Sequence, residues 1–416
     1  MSLYETADGI FGTHVTWKDV EMEMQKVLNT KERFGDEKKV TNIGDMKGFL
    51  SRIALIEPNW TDKTLDYLPE KFVIKISTQL AMIEISKLMK SDELMDENKM
   101  KTMGILTRNH HNREVSVYEI LEKEEYKNEY LPHTKVYSSK KFENEQALKG
   151  WIITEYVPNI HIGMHQCLSI DECIQVLKCA AALSALGEKI KDEEKNKIGK
   201  TDILEEVLKE FRSEESMEYV KAKLRESFDQ KHKEKVDKMI DIYEEYYGKW
   251  SIIQKYSKIS EILGHEPVMG HCDLWSANIL FQKIDDQLKV KAIVDYQTTS
   301  MCSPGQDIAR LLACCLSKKD RRENKDELLK IYYEHFIKEL DGRQCPYTYK
   351  QLSDSYDIYF PITSFLIIPY IAAFAKTADQ SDKEAIELST DKVVGLMEDI
   401  MTTHQSNIDN IPLFFE

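Results

Sequence analysis

Residues 270–281 read GHCDLWSANILF, which puts His271, Asp273 and Asn278 within eight positions, just ahead of an apolar run. Three chemistries could use such a stretch. A His/Asp pair could help hold a hydrolytic metal. A polar turn could simply satisfy its own backbone. Or Asp273 could take the proton of a hydroxyl while Asn278 offers its side-chain oxygen to a metal, the parts that phosphoryl transfer needs. Twenty-two residues after Asp273, the run KAIV ends in Asp295. NILF and KAIV, joined by the polar QKIDDQ, read as a β-hairpin that brings Asn278 and Asp295 to one end. An Asn/Asp pair of oxygens suits magnesium. The hydrolase reading lacks a second histidine at ligand spacing, so His271 is expected to brace the loop by a hydrogen bond. Cys272 has no neighbour in sequence that marks it as an activated nucleophile.

Phosphoryl transfer also needs a cation on the nucleotide phosphates and an anchor for that cation. Lys75 interrupts the apolar run VIKI, where a lysine is costly unless it meets an anion; snorkelling from an edge strand is the plainer account. Glu114, at the start of the helix read in NREVSVYEIL, is the candidate anchor, with a surface carboxylate as the alternative. His110 and His111 are adjacent, so their side chains diverge and a shared metal is not expected. Downstream, SPGQDIARLL reads as a helix start: Ser303 as N-cap, Pro304 at the first helical position, Gln306 closing a capping box. Asp307 either complements the helix dipole or reaches back to the backbone of the 270–278 loop.

The elements that must position these residues follow from periodicity. THVTWKDVEMEMQKVL reads as a helix capped by Thr16. KKVTNIGDMKGFLSRIALIEPNW and LPEKFVIKIST are β-rich; the helix with Val117, Ile120 and Leu121 on one face follows, then strands in HTKVYSSKKF and GWIITEYV. After Pro158 the chain turns helical. SIDECIQVLKCAAALSALGEKI carries Ser169 and Glu172 as a capping box, and residues 188–240 read as charged helices with a narrow apolar stripe. Further helices are expected near 305–316, 325–341, 350–376 and 383–403. Pro361 and Pro369 suggest short helical pieces within the most apolar stretch. Tyr356, Tyr359, Phe360, Phe365 and Tyr370 could wall an acceptor pocket, with core packing as the alternative.

The 416 residues are enough for two domains or one two-lobed enzyme. The net charge of −15 argues against nucleic acid or an anionic membrane as partner. No apolar run is read as approaching the roughly 18 residues of a membrane span. MSLYETADGIFGTHVTW shows no basic segment followed by an apolar one, so no signal peptide is read there. The eight cysteines form no CxxC pair, and a cytoplasmic protein with reduced thiols and a silent Asn59-Trp60-Thr61 sequon is expected. No G-x-x-x-x-G-K-[ST] occurs, which sets aside a P-loop enzyme.

HCDLWSANIL, IVDYQ and SPGQDIA resemble the catalytic core of the choline kinase and aminoglycoside phosphotransferase superfamily, most closely the ecdysteroid kinase-like and CHK kinase-like families. Their pattern is His-Gly-Asp-Leu-Trp, two variable residues, then Asn, followed by a strand ending in Asp with an aromatic residue behind it. The resemblance spans about residues 40–375. It implies an α+β, bilobal protein-kinase-like fold, with a small β-rich lobe over 1–157 and a mainly helical lobe over 158–416. It also implies transfer of the ATP γ-phosphate, with Mg²⁺, to the hydroxyl of a small molecule: a metabolite, a lipophilic alcohol or sterol, or an amino alcohol. A catalytically inactive ligand-binding relative is the alternative. On this reading Asp273 and His271 are catalytic, and Asn278 and Asp295 bind metal. Gly44, Gly48, Lys75, Glu114, Glu155 and Val157 face the nucleotide. Two departures stand out. Cys272 replaces the family's glycine, adding a Cβ where backbone freedom is used, and NIGDMKGFLS is poor in glycine for a phosphate-covering turn. The short stretch between Asp295 and Pro304 leaves no room for a peptide-binding activation segment.

Overall fold

The computed structural model describes residues 2–44, 50–62, 64–89, 96–211, 214–377 and 382–416; Gly48 lies outside them. The chain forms two units. The first takes Met1–Lys123, His133–Pro158 and Asp295–Gln297; the second takes Glu124–Pro132, Asn159–Val294 and Thr298–Glu416.

The first unit contains α1 (Trp17–Val27), β1 (Lys39–Asn42), β2 (Ser51–Glu57), β3 (Phe72–Ser77), α2 (Leu80–Met89), α3 (Glu97–Leu121), β4 (Val136–Lys140) and β5 (Trp151–Glu155). Thr16 caps α1 in a reciprocal box with Asp19, whose carboxylate accepts from the Thr16 N–H at 2.8 Å. The strands make one antiparallel sheet in the order β1-β2-β3-β5-β4. Period-2 alternation along β3 buries Phe72, Ile74 and Ile76 on one face, in a cluster with Val20 and Met24 of α1 and with Phe34 and Trp60. Val73 and Lys75 therefore point to the other face. Glu114 does not begin its helix, as the sequence suggested. Helix α3 starts at Glu97, capped by the Asp96 carboxylate, so Glu114 lies well inside a 25-residue helix. Its first half, ENKMKTMGILTRNHHNR, is mostly polar, and its buried stripe rests on Met100, Met103 and Leu106. Helix α2 was not anticipated.

The second unit contains α4 (Ile170–Gly187), α5 (Asp192–Lys195), α6 (Ile203–Phe211), α7 (Glu214–Ser227), α8 (Lys233–Ile242), α9 (Trp250–Ile253), α10 (Ile259–Leu263), β6 (Val268–Gly270), β7 (Ile279–Ile284), β8 (Gln287–Ile293), β9 (Ser300–Cys302), α11 (Gly305–Cys315), α12 (Lys318–Glu339), α13 (Tyr349–Thr377) and α14 (Lys383–Asn410). Strand β6 pairs with β9, and β7–β8 form the expected hairpin, turned through Asp285 and Asp286, both at positive φ. Ser169 and Glu172 cap α4 reciprocally.

Two expectations fail here for a tertiary reason. Helix α13 runs unbroken for 29 residues through Pro361 and Pro369. Pro361 cannot donate to the carbonyl of Asp357, four residues back; the Asn407 amide of α14 does so instead, at 2.7 Å. Among the described residues, this helix is long and apolar enough over Tyr349–Ala373 to cross a membrane by length and composition, and 72% of its apolar window is buried inside the structure. The expected Ser303 capping box is also absent. Pro304 takes the N-cap position without a side-chain bond, and the Gly305 N–H donates to Ser355 Oγ at 2.9 Å. Gly305 abuts the backbone of Ser355 and Tyr356 too closely for any Cβ, which carries the Ser355 hydroxyl of α13 to the helix start. Ser303 Oγ itself donates to Ser355 Oγ at 2.8 Å.

Candidate active site

Lys75 sits mid-strand on β3, between Ile53 of β2 and Ile152 of β5. It is thus on a central strand, which rules out the edge-strand account. Its ammonium lies 2.6 Å from Glu114 Oε2 and 2.6 Å from Asp295 Oδ1. Burial alone pushes such an ammonium toward neutrality; the two carboxylates outweigh it and hold Lys75 charged well above the usual lysine range. Burial pushes the Glu114 carboxyl up, with Lys75 opposing. Helix α3 is fixed over the sheet by its own polar residues. His111 bonds Ser77 Oγ through Nδ1 and the Lys140 carbonyl through Nε2, each at 2.8 Å. The Asn112 amide donates to the Phe142 carbonyl and accepts from the Phe142 N–H. The segment carrying Asp295 is held on the same helix: Tyr296 packs edge-on against Tyr118, and the Gln297 carbonyl accepts from Arg113. Asp295 has φ +68°, a conformation that Asp tolerates better than most residues.

In the second unit, residues 271–278 follow directly from β6. Asp307, in the first turn of α11, takes two N–H groups of that loop: His271 N–H on Oδ2 and Cys272 N–H on Oδ1, each at 2.7 Å. Burial raises its carboxyl, against the pull of His271 and those two bonds. His271 is fully buried and braces the loop at 3.0 Å from the Val294 carbonyl, while its Nδ1 receives the Asp273 N–H at 3.3 Å. The His271 carbonyl accepts from Thr298 Oγ1. Asn278 uses its amide nitrogen on the Asp273 carbonyl at 2.8 Å and on Asp273 Oδ2 at 3.1 Å. Both bonds use the amide nitrogen, so the Asn278 side-chain oxygen takes no part in them. The Val294 N–H donates to the Asn278 carbonyl, and Asp295 is the next residue in the chain.

Cys272 adopts φ +65°, the left-handed region where a side chain is strained and glycine is not. A glycine here, as in the pattern the loop resembles, would meet no such strain. The Cys272 thiol is buried 3.2 Å from Ser300 Oγ and 3.7 Å from Cys302 Sγ.

Sequence reasoning missed Arg310. Its guanidinium donates to Asp273 Oδ1 at 2.9 Å and lies 5.7 Å from the Trp275 ring centre. The signal was available: Arg310 is three residues past Asp307, one helical turn along the same face. Of the remaining candidates, Glu155 ends β5 and accepts the Lys135 N–H at 2.9 Å, and Val157 is buried. Gly44 lies against Ile53. Tyr356, Tyr359, Phe360 and Phe365 are core residues, whereas Tyr370 is exposed.

The family model described as "Uncharacterized oxidoreductase dhs-27" matches residues 3–408. An uncharacterized kinase-like protein of Caenorhabditis elegans is 28% identical over 159 residues, covering 36% of this chain and 41% of that protein. The chain thus spans about two fifths of that curated relative's length. A choline kinase from Cryptosporidium parvum Iowa II is 14% identical with a TM-score of 0.50, covering 94% of this chain and 97% of its own. An ethanolamine kinase of Plasmodium vivax is 12% identical with a TM-score of 0.42, over 92% and 90%. The likeness to the choline kinase shows the fold, α+β and kinase-like, as the sequence motifs implied. By the match over residues 3–408, the chain belongs to the DUF1679 family.

Proposed function

We propose that the protein is a small-molecule kinase that moves the γ-phosphate of ATP to a hydroxyl. The observation that carries this reading is Lys75, an ammonium held between Glu114 and Asp295. A fixed, fully charged lysine of this kind is what phosphate binding requires, because phosphoryl transfer rests on positioning and charge. Asp273 is assigned to orient the acceptor hydroxyl and take its proton. His271 and Asp307 hold the loop that carries it. Asn278 and Asp295 each keep one side-chain oxygen outside the bonds described above, and oxygen donors of this kind suit magnesium. When bound, that ion would neutralise charge on the nucleotide phosphates. Only a short turn and β9 separate Asp295 from α11, which favours a small acceptor over a peptide.

The description of the matching family names an oxidoreductase. The sequence contains no Gly-x-Gly, the start of a Rossmann dinucleotide fingerprint, so the kinase assignment is preferred. Calorimetric titration separates the two. ATP is expected to bind more tightly with Mg²⁺ and more weakly in Asp295→Ala, with no comparable NADPH binding. Binding of NADPH without ATP would overturn the reading. In Asp273→Ala, nucleotide binding should persist while turnover falls by ~10²–10⁴; a variant that binds ATP and whose wild type transfers phosphate to nothing is instead a ligand-binding relative.

A further inference from the structure

Arg310 and Trp275 carry donors that the fold leaves unused. Arg310 Nε and Trp275 Nε1 are buried and have no hydrogen-bond partner among the described residues. Such donors are rare in folded proteins and call for an acceptor. The two side chains lie together, with the guanidinium 5.7 Å from the indole ring and 2.9 Å from the Asp273 carboxylate. The Arg310 side chain is 24% exposed, so part of it remains reachable. Asp307, the other nearby carboxylate, is committed to two backbone N–H groups. The Asp273 carboxylate is engaged on both oxygens, by Arg310 on Oδ1 and by Asn278 on Oδ2.

We infer that Arg310 and Trp275 form the acceptor subsite beside Asp273, and that it takes hydroxyl compounds presenting oxygen acceptors, neutral or anionic, instead of cationic amino alcohols. The inference rests on the kinase reading of Asp273 and narrows its substrate class. A quaternary ammonium needs anionic or aromatic surroundings; here it would meet the Arg310 guanidinium, on which the Asp273 carboxylate is already spent. Like-charge juxtaposition of this kind is expected to cost roughly tenfold or more in kcat/KM.

The test is phosphate transfer from labelled ATP by the full chain to three classes of alcohol: choline and ethanolamine, the uncharged choline isostere 3,3-dimethylbutan-1-ol with sterols and sugars, and hydroxycarboxylates. The uncharged and anionic classes should exceed the cationic class by about tenfold or more. Arg310→Met should narrow that gap, mainly through KM for the oxygen-bearing acceptors, and Arg310→Lys should restore part of it. ATP affinity, measured alongside, reports that the variants are folded. A preference for choline or ethanolamine, or an Arg310→Met variant that loses turnover equally for all classes, would overturn the inference while leaving the kinase reading intact. Transfer to no alcohol at all would remove both.

Discussion

Lys75 Nζ lies 2.6 Å from Asp295 Oδ1 although 220 positions of sequence separate them. The same nitrogen is equally close to Glu114, so one ammonium answers two carboxylates that would otherwise repel. Lys75→Met should lower stability by ~3–5 kcal/mol, the cost of stranding a buried charge. Adding Glu114→Gln should recover part of that loss. Urea unfolding of the two single variants and the double gives the coupling; strict additivity would show that the pair does not interact.

Asp307→Asn keeps the shape but turns one acceptor into a donor facing an N–H of His271 or Cys272. The expected cost is ~1–3 kcal/mol of stability. Under the proposed function, turnover should fall more than ATP affinity, because the displaced loop carries Asp273. Equal loss of both would argue against a role confined to the loop.

At Cys272 the backbone, not the thiol, sets the order of variants. With φ at +65°, Cys272→Gly is expected to be more stable than Cys272→Ala by about 1 kcal/mol. Thermal unfolding of the two side by side decides it, and an alanine variant at least as stable as the glycine one would remove strain from the account.

Two buried groups tie stability to pH with opposite signs. Burial pushes His111 from 6.5 down to about 4, so the native state binds fewer protons than the unfolded one between those values. Its contribution is complete above pH 6.5 and is lost as pH falls toward 4, on the order of 3 kcal/mol in full. Burial pushes the Asp202 carboxyl, which accepts from Tyr359 OH at 2.5 Å, from 3.8 up to about 6. Its contribution is complete below pH 3.8 and is lost as pH rises through 6. Relative to wild type, His111→Gln should flatten the acid loss, and Asp202→Asn should flatten the decline toward neutrality. Unfolding free energies measured from pH 4 to 7 test both.

Asn407 stands in for the hydrogen bond that Pro361 cannot make. Asn407→Ala should destabilise by ~1–3 kcal/mol, whereas the same change in a Pro361→Ala background should cost less, since the alanine N–H can reach Asp357. Equal costs in the two backgrounds would sever the link.

What could be read in the sequence was what local spacing encodes. The hairpin, the helix caps at Thr16 and Ser169, and the loop from His271 to Asn278 each lie within a few residues of their partners. Asp307 and the loop it bonds are 35 residues apart or more, yet a motif links them. The misses share another cause. Ser355 caps α11 from 50 positions away, Asn407 repairs α13 from 50 positions away, and no periodicity announces either. The start of α3 was hidden because its early turns bury only two methionines among polar neighbours. Arg310 was overlooked although its place one turn after Asp307 was visible.

The three residues Asp295–Gln297 belong to the first unit, while the chain on both sides of them belongs to the second. A ribosome making this protein has finished most of the chain before it supplies the second carboxylate for Lys75. The β-sheet of the first unit can pair early, since its strands end at Glu155, but its electrostatic centre stays incomplete until Asp295 emerges. Vectorial folding of this protein therefore cannot run to completion one unit at a time.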